Sequence, residues 1–184
     1  MKTKAFFLSL IAGAAMVACK KDPTGTDQNG QPTVKQKENF SVELNVVTEK
    51  DDDFAVYYTE DGSINFDADH VVWHGVKARP ESQKVTIDLP EEIVPTDIRI
   101  DFGIKRKQDQ GDVTLEKFKI SYYGKNFEAR GSDFLKYFVK NDSIESVVDD
   151  AKGTITFHKN LKNSVTPFYY PSKPILDEIA KMTK

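Results

Sequence analysis

The side chains of this chain that chemistry would use are few: three histidines, one cysteine, an alternating run of acids and a set of outward-pointing aromatics. His70 and His74 lie four residues apart in "HVVWHGV". In a strand they share a face but stand roughly 13 Å apart, at about 3.4 Å per residue, so one metal ion cannot bridge them. His158 sits late in another apolar stretch with no partner fixed by spacing. Asp61, Ser63, Asn65, Asp67 and Asp69 occupy every second position, which superficially suits a calcium loop. Such a loop needs glycine at its sixth place and a bidentate glutamate at its twelfth. Counting from Asp61, those places hold Phe66 and Val72, so no metal is assigned. No Gly-x-Ser-x-Gly elbow presents a serine nucleophile, and no cofactor motif is present. The reading is therefore not an enzyme. The aromatics are the remaining handle. Rings bind sugars by packing on the apolar faces of pyranoses, and Tyr57, Trp73 and Tyr123 are the candidates for that role.

The chain start carries an address. Lys2 and Lys4 precede "AFFLSLIAGAAMVA", residues 5–18, which is apolar and ends in small residues. A positive start, a short apolar run and a small-residue exit describe a secretory signal peptide, too short to read as a membrane span. Cys19, the single cysteine, follows directly. "MVAC" resembles the lipobox of bacterial lipoproteins. The resemblance implies cleavage before Cys19, a diacylglycerol on its thiol and acylation of the new amino terminus. Each buried methylene then adds about 0.8 kcal/mol of membrane affinity. In the Gram-negative proteins that this start resembles, aspartate after the cysteine often means retention in the inner membrane. Lys20 stands there, which implies an outer-membrane lipoprotein, with its face, periplasmic or surface, left open.

Residues 19–38 are polar, rich in Gly, Pro, Thr and Gln, and without periodicity, which is the composition of a tether. The expected division is a signal peptide at 1–18, a lipidated start and flexible tether at 19–38, and one domain at 39–184. Acids outnumber bases, 29 to 26, before the leader with Lys2 and Lys4 is lost. No basic block stands out, so nucleic acid is not an expected partner. With no second cysteine, the domain must be held by its core alone.

The domain reads as strands. "NFSVELNVV" alternates with Phe40, Val42, Leu44 and Val46 on one face, the period of a half-buried strand. "DFAVYYT" puts Phe54, Val56 and Tyr58 inward and Tyr57 outward. "HVVWHGV" is apolar on both faces. "KVTIDLP" turns Val85, Ile87 and Leu89 inward, and "DIRIDFGI" turns Ile98, Ile100 and Phe102 inward while leaving Arg99 and Asp101 outside. "VTLEKFKISYYGKNFEAR" is expected to be a hairpin turning at Gly124-Lys125, with a change of phase near Glu116-Lys117 that a β-bulge would produce. "SIESVV" and "GTITFH" are two later strands. "SDFLKYF" reads as a short helix, "FYYP" as a loop-like aromatic cluster, and "PILDEIAKMTK" as a terminal helix with Ile175, Leu176, Ile179 and Met182 on one face. Many short strands without helical spacers predict an all-β antiparallel sandwich with one or two short helices.

The order of motifs from "VYYTEDGSINFDADHVVWHGV" through "QKVTIDLPEEIVPTDIRIDFG" to "GDVTLEKFKISYYGK" resembles a jelly-roll module accessory to bacterial cell-surface polysaccharide proteins. Tyr58, Asp61, Gly62, Leu89, Pro90, Arg99, Ile100 and Asp101 match, whereas Phe102 stands where that pattern has proline. The resemblance implies a jelly-roll-like sandwich in a glycan-related setting. The expected function is non-catalytic binding of a glycan or another cell-envelope component. The alternative is a structural or assembly subunit docking on another envelope protein.

Overall fold

Alternation along the chain is converted into two facing sheets. The computed structural model describes residues 39–103, 111–140, 144–158 and 167–184. The signal peptide, Cys19 and the tether lie outside the described residues. Numbered in chain order, one sheet runs β4 (Arg79–Asp88), β1 (Ser41–Thr48), β6 (Val113–Tyr122), β10 (Thr154–His158) and β9 (Glu145–Asp149), with β7 (Lys125–Arg130) also paired to β6. The other runs β3 (Val71–Val76), β2 (Asp52–Thr59), β5 (Asp97–Phe102), β11 (Phe168–Pro171) and β8 (Phe138–Lys140). Every ladder is antiparallel. The β2–β3 hairpin lies in one sheet, while the strands flanking it, β1 and β4, pair in the other. β5 then returns beside β2 and β6 beside β1. The expected all-β sandwich is the observed architecture.

The residues with inward parity form the core. Phe40, Val42, Leu44 and Val46 from the first sheet are wholly buried, as are Phe54, Val56, Ile98 and Ile100 from the second. At one end the filling is aromatic. Phe102 stacks on Phe157 with centroids 4.4 Å apart, and Phe134 on Phe138 at 4.7 Å. Phe134 belongs to α1 (Phe134–Tyr137), the helical turn expected from "SDFLKYF". Such pairs add about 0.5–1.5 kcal/mol beyond their buried area. In α2 (Lys173–Thr183) the stripe expected from spacing faces the core, with Ile175, Ile179 and Met182 buried and Leu176 partly buried against it.

The change of phase in β6 is a bulge. Asn45 faces Lys117 and Val46 faces Leu115, so Glu116 is the extra residue. The bulge divides one edge of β6 between two strands: residues 117–122 pair with β7 and residues 113–115 with β10. Gly131, buried where the chain leaves β7, crosses that junction. A Cβ there would run into the Leu115 carbonyl oxygen.

Four local expectations are corrected. "FYYP" is the strand β11, not a loop, because Tyr169 points into the core while its neighbours point out. "HVVWHGV" is not apolar on two buried faces: β3 is the end strand of its sheet, with Trp73, His74 and Gly75 exposed. The β6–β7 turn is Tyr123-Gly124, one residue earlier than expected, because Tyr122 pairs with Lys125. Asp101 is not outside: it is 3% exposed, on the outer face of β5 yet covered.

Candidate functional site

What covers Asp101 follows from register. Trp73, Ala55, Asp101 and Phe168 lie side by side across β3, β2, β5 and β11. The next row outward-facing on the same strands is Val71, Tyr57 and Arg99, then Tyr170, and finally Val139 on β8. The outer face of this sheet is therefore an aromatic band with one ion pair in its middle. Side chains in a row stand close enough to interact directly.

Arg99 organises the band. Its Nε and Nη2 each donate to a different Asp101 carboxylate oxygen, both at 2.8 Å. That forked geometry is the strong form of the pair. The guanidinium carbon sits 3.9 Å from the Tyr57 ring centroid, 5.2 Å from Phe168, 5.7 Å from Tyr170 and 5.8 Å from Phe66. All four are within the reach of a cation–π contact. Burial pushes the Asp101 carboxyl up in pKa, against the opposing pull of Arg99. Burial also pushes the Tyr57 phenol up, with the Asp101 charge adding to it.

Tyr57 and Trp73 are brought together, ring centroids 5.8 Å apart and nearly perpendicular at 79°. Trp73 is 45% exposed. Tyr123 is not part of this group. It occupies the tip of the β6–β7 hairpin, on the other sheet.

The loop between β2 and β3 supplies the rim. Its alternating polar residues make turns, not a metal site. The Asp61 carboxylate accepts from the Ser63 N–H at 2.9 Å, the Ser63 hydroxyl from the Asn65 N–H at 3.3 Å, and Asp67 from the Asp69 N–H at 2.9 Å. Short polar side chains that bond two residues ahead fold loops this way. Among the described residues no three His, Cys, Asp or Glu groups gather as metal ligands. The loop lays Phe66 against Tyr170, centroids 5.8 Å apart, and encloses an open cleft of about 420 Å³ lined by Glu60, Asp61, Asn65, Asp67 and His70. His70 precedes β3, so it does not share a strand with His74. Its Nδ1 lies 2.8 Å from Asp67 Oδ1. That bond raises the imidazole pKa and lowers the carboxyl's. His158 does have a partner, the Asp112 carboxylate at 2.8 Å.

Sequence reasoning missed Phe66, Arg99, Asp101, Phe168 and Tyr170 as members of the band. Alternation in "FYYP" held the signal for two of them, since a buried Tyr169 sends Phe168 and Tyr170 to the opposite face. The arrangement offers flat and edge-on rings, held stiff by an internal ion pair, beside a polar rim. That combination suits adsorption of a ligand with apolar faces and hydroxyl edges. No protein-family model, curated protein or solved structure matches this chain.

Proposed function

We propose that this chain is a lipid-anchored envelope protein that binds a glycan, without chemistry, on the outer face of the β3-β2-β5-β11-β8 sheet. The carrying observation is the edge-on pairing of an exposed Trp73 with Tyr57, over whose ring the forked Arg99 guanidinium lies at 3.9 Å. Most strand faces in a sandwich turn charge to water. This one turns rings outward around the Arg99–Asp101 pair. Stiff rings lose little freedom on binding, which is the general source of affinity at pre-organised sites. The jelly-roll resemblance agrees with the glycan reading. What supports it in the fold is the two-sheet antiparallel sandwich itself, with β1 beside β6 in one sheet and β2 beside β5 in the other.

The anchor is the lone Cys19 after its apolar run. Mass spectrometry of the mature protein is expected to show a chain beginning at Cys19 with acyl mass added. An unmodified Cys19, or an uncut Met1, contradicts the anchor. The binding reading is tested by retention of the full chain on immobilised neutral polysaccharides. Trp73→Ala is expected to weaken retention about tenfold while leaving the melting temperature within about 2 °C, since an exposed side chain contributes little to stability.

The second reading is docking on another envelope protein. It is favoured by Val139 on β8 and by Val147 and Val148 on β9, which are 55%, 57% and 39% exposed on strands that end their sheets. Unprotected end strands invite pairing. A partner recovered from crosslinked membranes through Val147→Cys, with no glycan retained, would favour this reading over the first.

A further inference from the structure

Two described residues other than glycine have positive φ: Glu92 at 74° and Tyr123 at 45°. They belong to separate turns, 31 positions apart in sequence, yet both line one cleft of about 230 Å³ together with Asn39, Glu91 and Tyr122. In the first turn the Ile93 N–H bonds to the Pro90 carbonyl at 3.3 Å, and Glu92 stands at the third position. That position favours glycine or asparagine when φ is positive. In the second, Tyr123 and Gly124 (φ 76°) form the two-residue β6–β7 loop. A hairpin loop with both φ values positive favours Asn-Gly. Each turn thus carries a large functional side chain where a small residue would fold more easily. Strained backbone of this kind gathers at ligand sites.

The side chains so placed have a common chemistry. Tyr123 is 54% exposed, and its ring meets that of Tyr122 edge-on at 4.7 Å. Tyr122 in turn packs on the buried Phe40 at 6.3 Å, which ties the pair to the core. Two carboxylates and an aromatic ring facing one hollow suit a sugar: the ring takes an apolar pyranose face and the carboxylates accept from hydroxyls. The same carboxylates repel an anionic sugar. The volume lies below the roughly 300–1,000 Å³ of sites for drug-sized ligands, so the cleft takes a single sugar unit.

We infer that this cleft, at the end of the six-stranded sheet, is a second carbohydrate site, specific for one neutral pyranose and separate from the aromatic sheet face. The inference rests on the glycan reading above but uses none of the same residues. Its mark is a trade of stability for binding at Tyr123 and Glu92.

The test uses the full chain in detergent, with neutral trisaccharides of glucose, mannose and N-acetylglucosamine as probes and a uronate trisaccharide as the anionic control. Amide chemical shifts and affinity are followed, and the melting temperature is measured without sugar. A neutral probe is expected to shift Tyr122, Tyr123 and Glu92. Tyr123→Asn is expected to weaken that effect about tenfold and to raise the melting temperature by about 2–4 °C. Glu92→Gly is expected to raise it as well, and Trp73→Ala to leave the cleft's shifts unchanged. The inference is overturned if Tyr123→Asn melts lower than the parent, since the ring is then filler. Unchanged affinity in Tyr123→Asn, or binding of the uronate alone, overturns it too. Shifts confined to Tyr57 and Trp73 leave the sheet-face reading standing and remove this one. Shifts confined to the cleft do the reverse, and no shift with any probe removes both.

Discussion

Gly131→Ala is expected to lower stability by about 3 kcal/mol or more. The reason lies in the divided edge of β6. β7 must stop and β10 must begin along the same edge, and Gly131 carries the chain across the gap beside the Glu116 bulge. A methyl group at Gly131 meets the Leu115 carbonyl and not a side chain that can rotate away. Relief requires moving backbone that already makes ladder bonds to β1 and β10. Gly62 provides the contrast. It has φ 76° with open space where its Cβ would be, so Gly62→Ala costs only the left-handed backbone, about 1–2 kcal/mol. Thermal melts of both variants separate the two costs. A loss on the order of 10 °C for Gly131→Ala, well beyond that for Gly62→Ala, is the expected result. A Gly131→Ala melt within two or three degrees of the parent would contradict the close approach.

The second large effect is at the ion pair. Arg99→Met is expected to cost about 3–5 kcal/mol at neutral pH, because it leaves the Asp101 carboxylate buried without its cation. Loss of the contact with Tyr57 adds to this. The pH dependence identifies the cause. Burial already raises Asp101 above its ordinary 3.8, and Arg99 restrains that rise. Without Arg99 the folded-state pKa climbs further. A group whose folded pKa is raised contributes stability below its unfolded pKa and loses it as pH rises through the folded value. The gap between Arg99→Met and the parent should therefore be narrow below about pH 4 and widen toward neutrality. Arg99→Lys should recover part of the loss, since it restores charge but not the planar fork. A gap independent of pH would mean that Arg99 matters by packing alone.

Parity carried most of the fold into view. Residues alternating on β1, β2, β4 and β5 were legible because one face of each is core, and a single slip of phase located the Glu116 bulge. What parity could not supply is whatever lies across an outer face. Arg99 and Asp101 have the pattern of solvated charges, and only the register with Tyr57, Phe168 and Tyr170 covers them. The same blindness grouped Tyr123 with Tyr57 and Trp73. All three point away from the core, but strand order assigns them to different sheets. Loop chemistry was ambiguous for a different reason. Alternating Asp, Ser and Asn serve a metal loop and a succession of side-chain turns equally well until the backbone donors are placed.

Glycan binding on the sheet face is the central claim, and titration with neutral oligosaccharides tests it most directly. Tryptophan fluorescence reports on one residue only, because Trp73 is the single tryptophan of the chain. A saturable change on adding a neutral oligosaccharide, weakened about tenfold or more by Tyr57→Ala, is the predicted result. A Trp73 signal that responds to no oligosaccharide, or that responds equally well in Tyr57→Ala, would contradict the account.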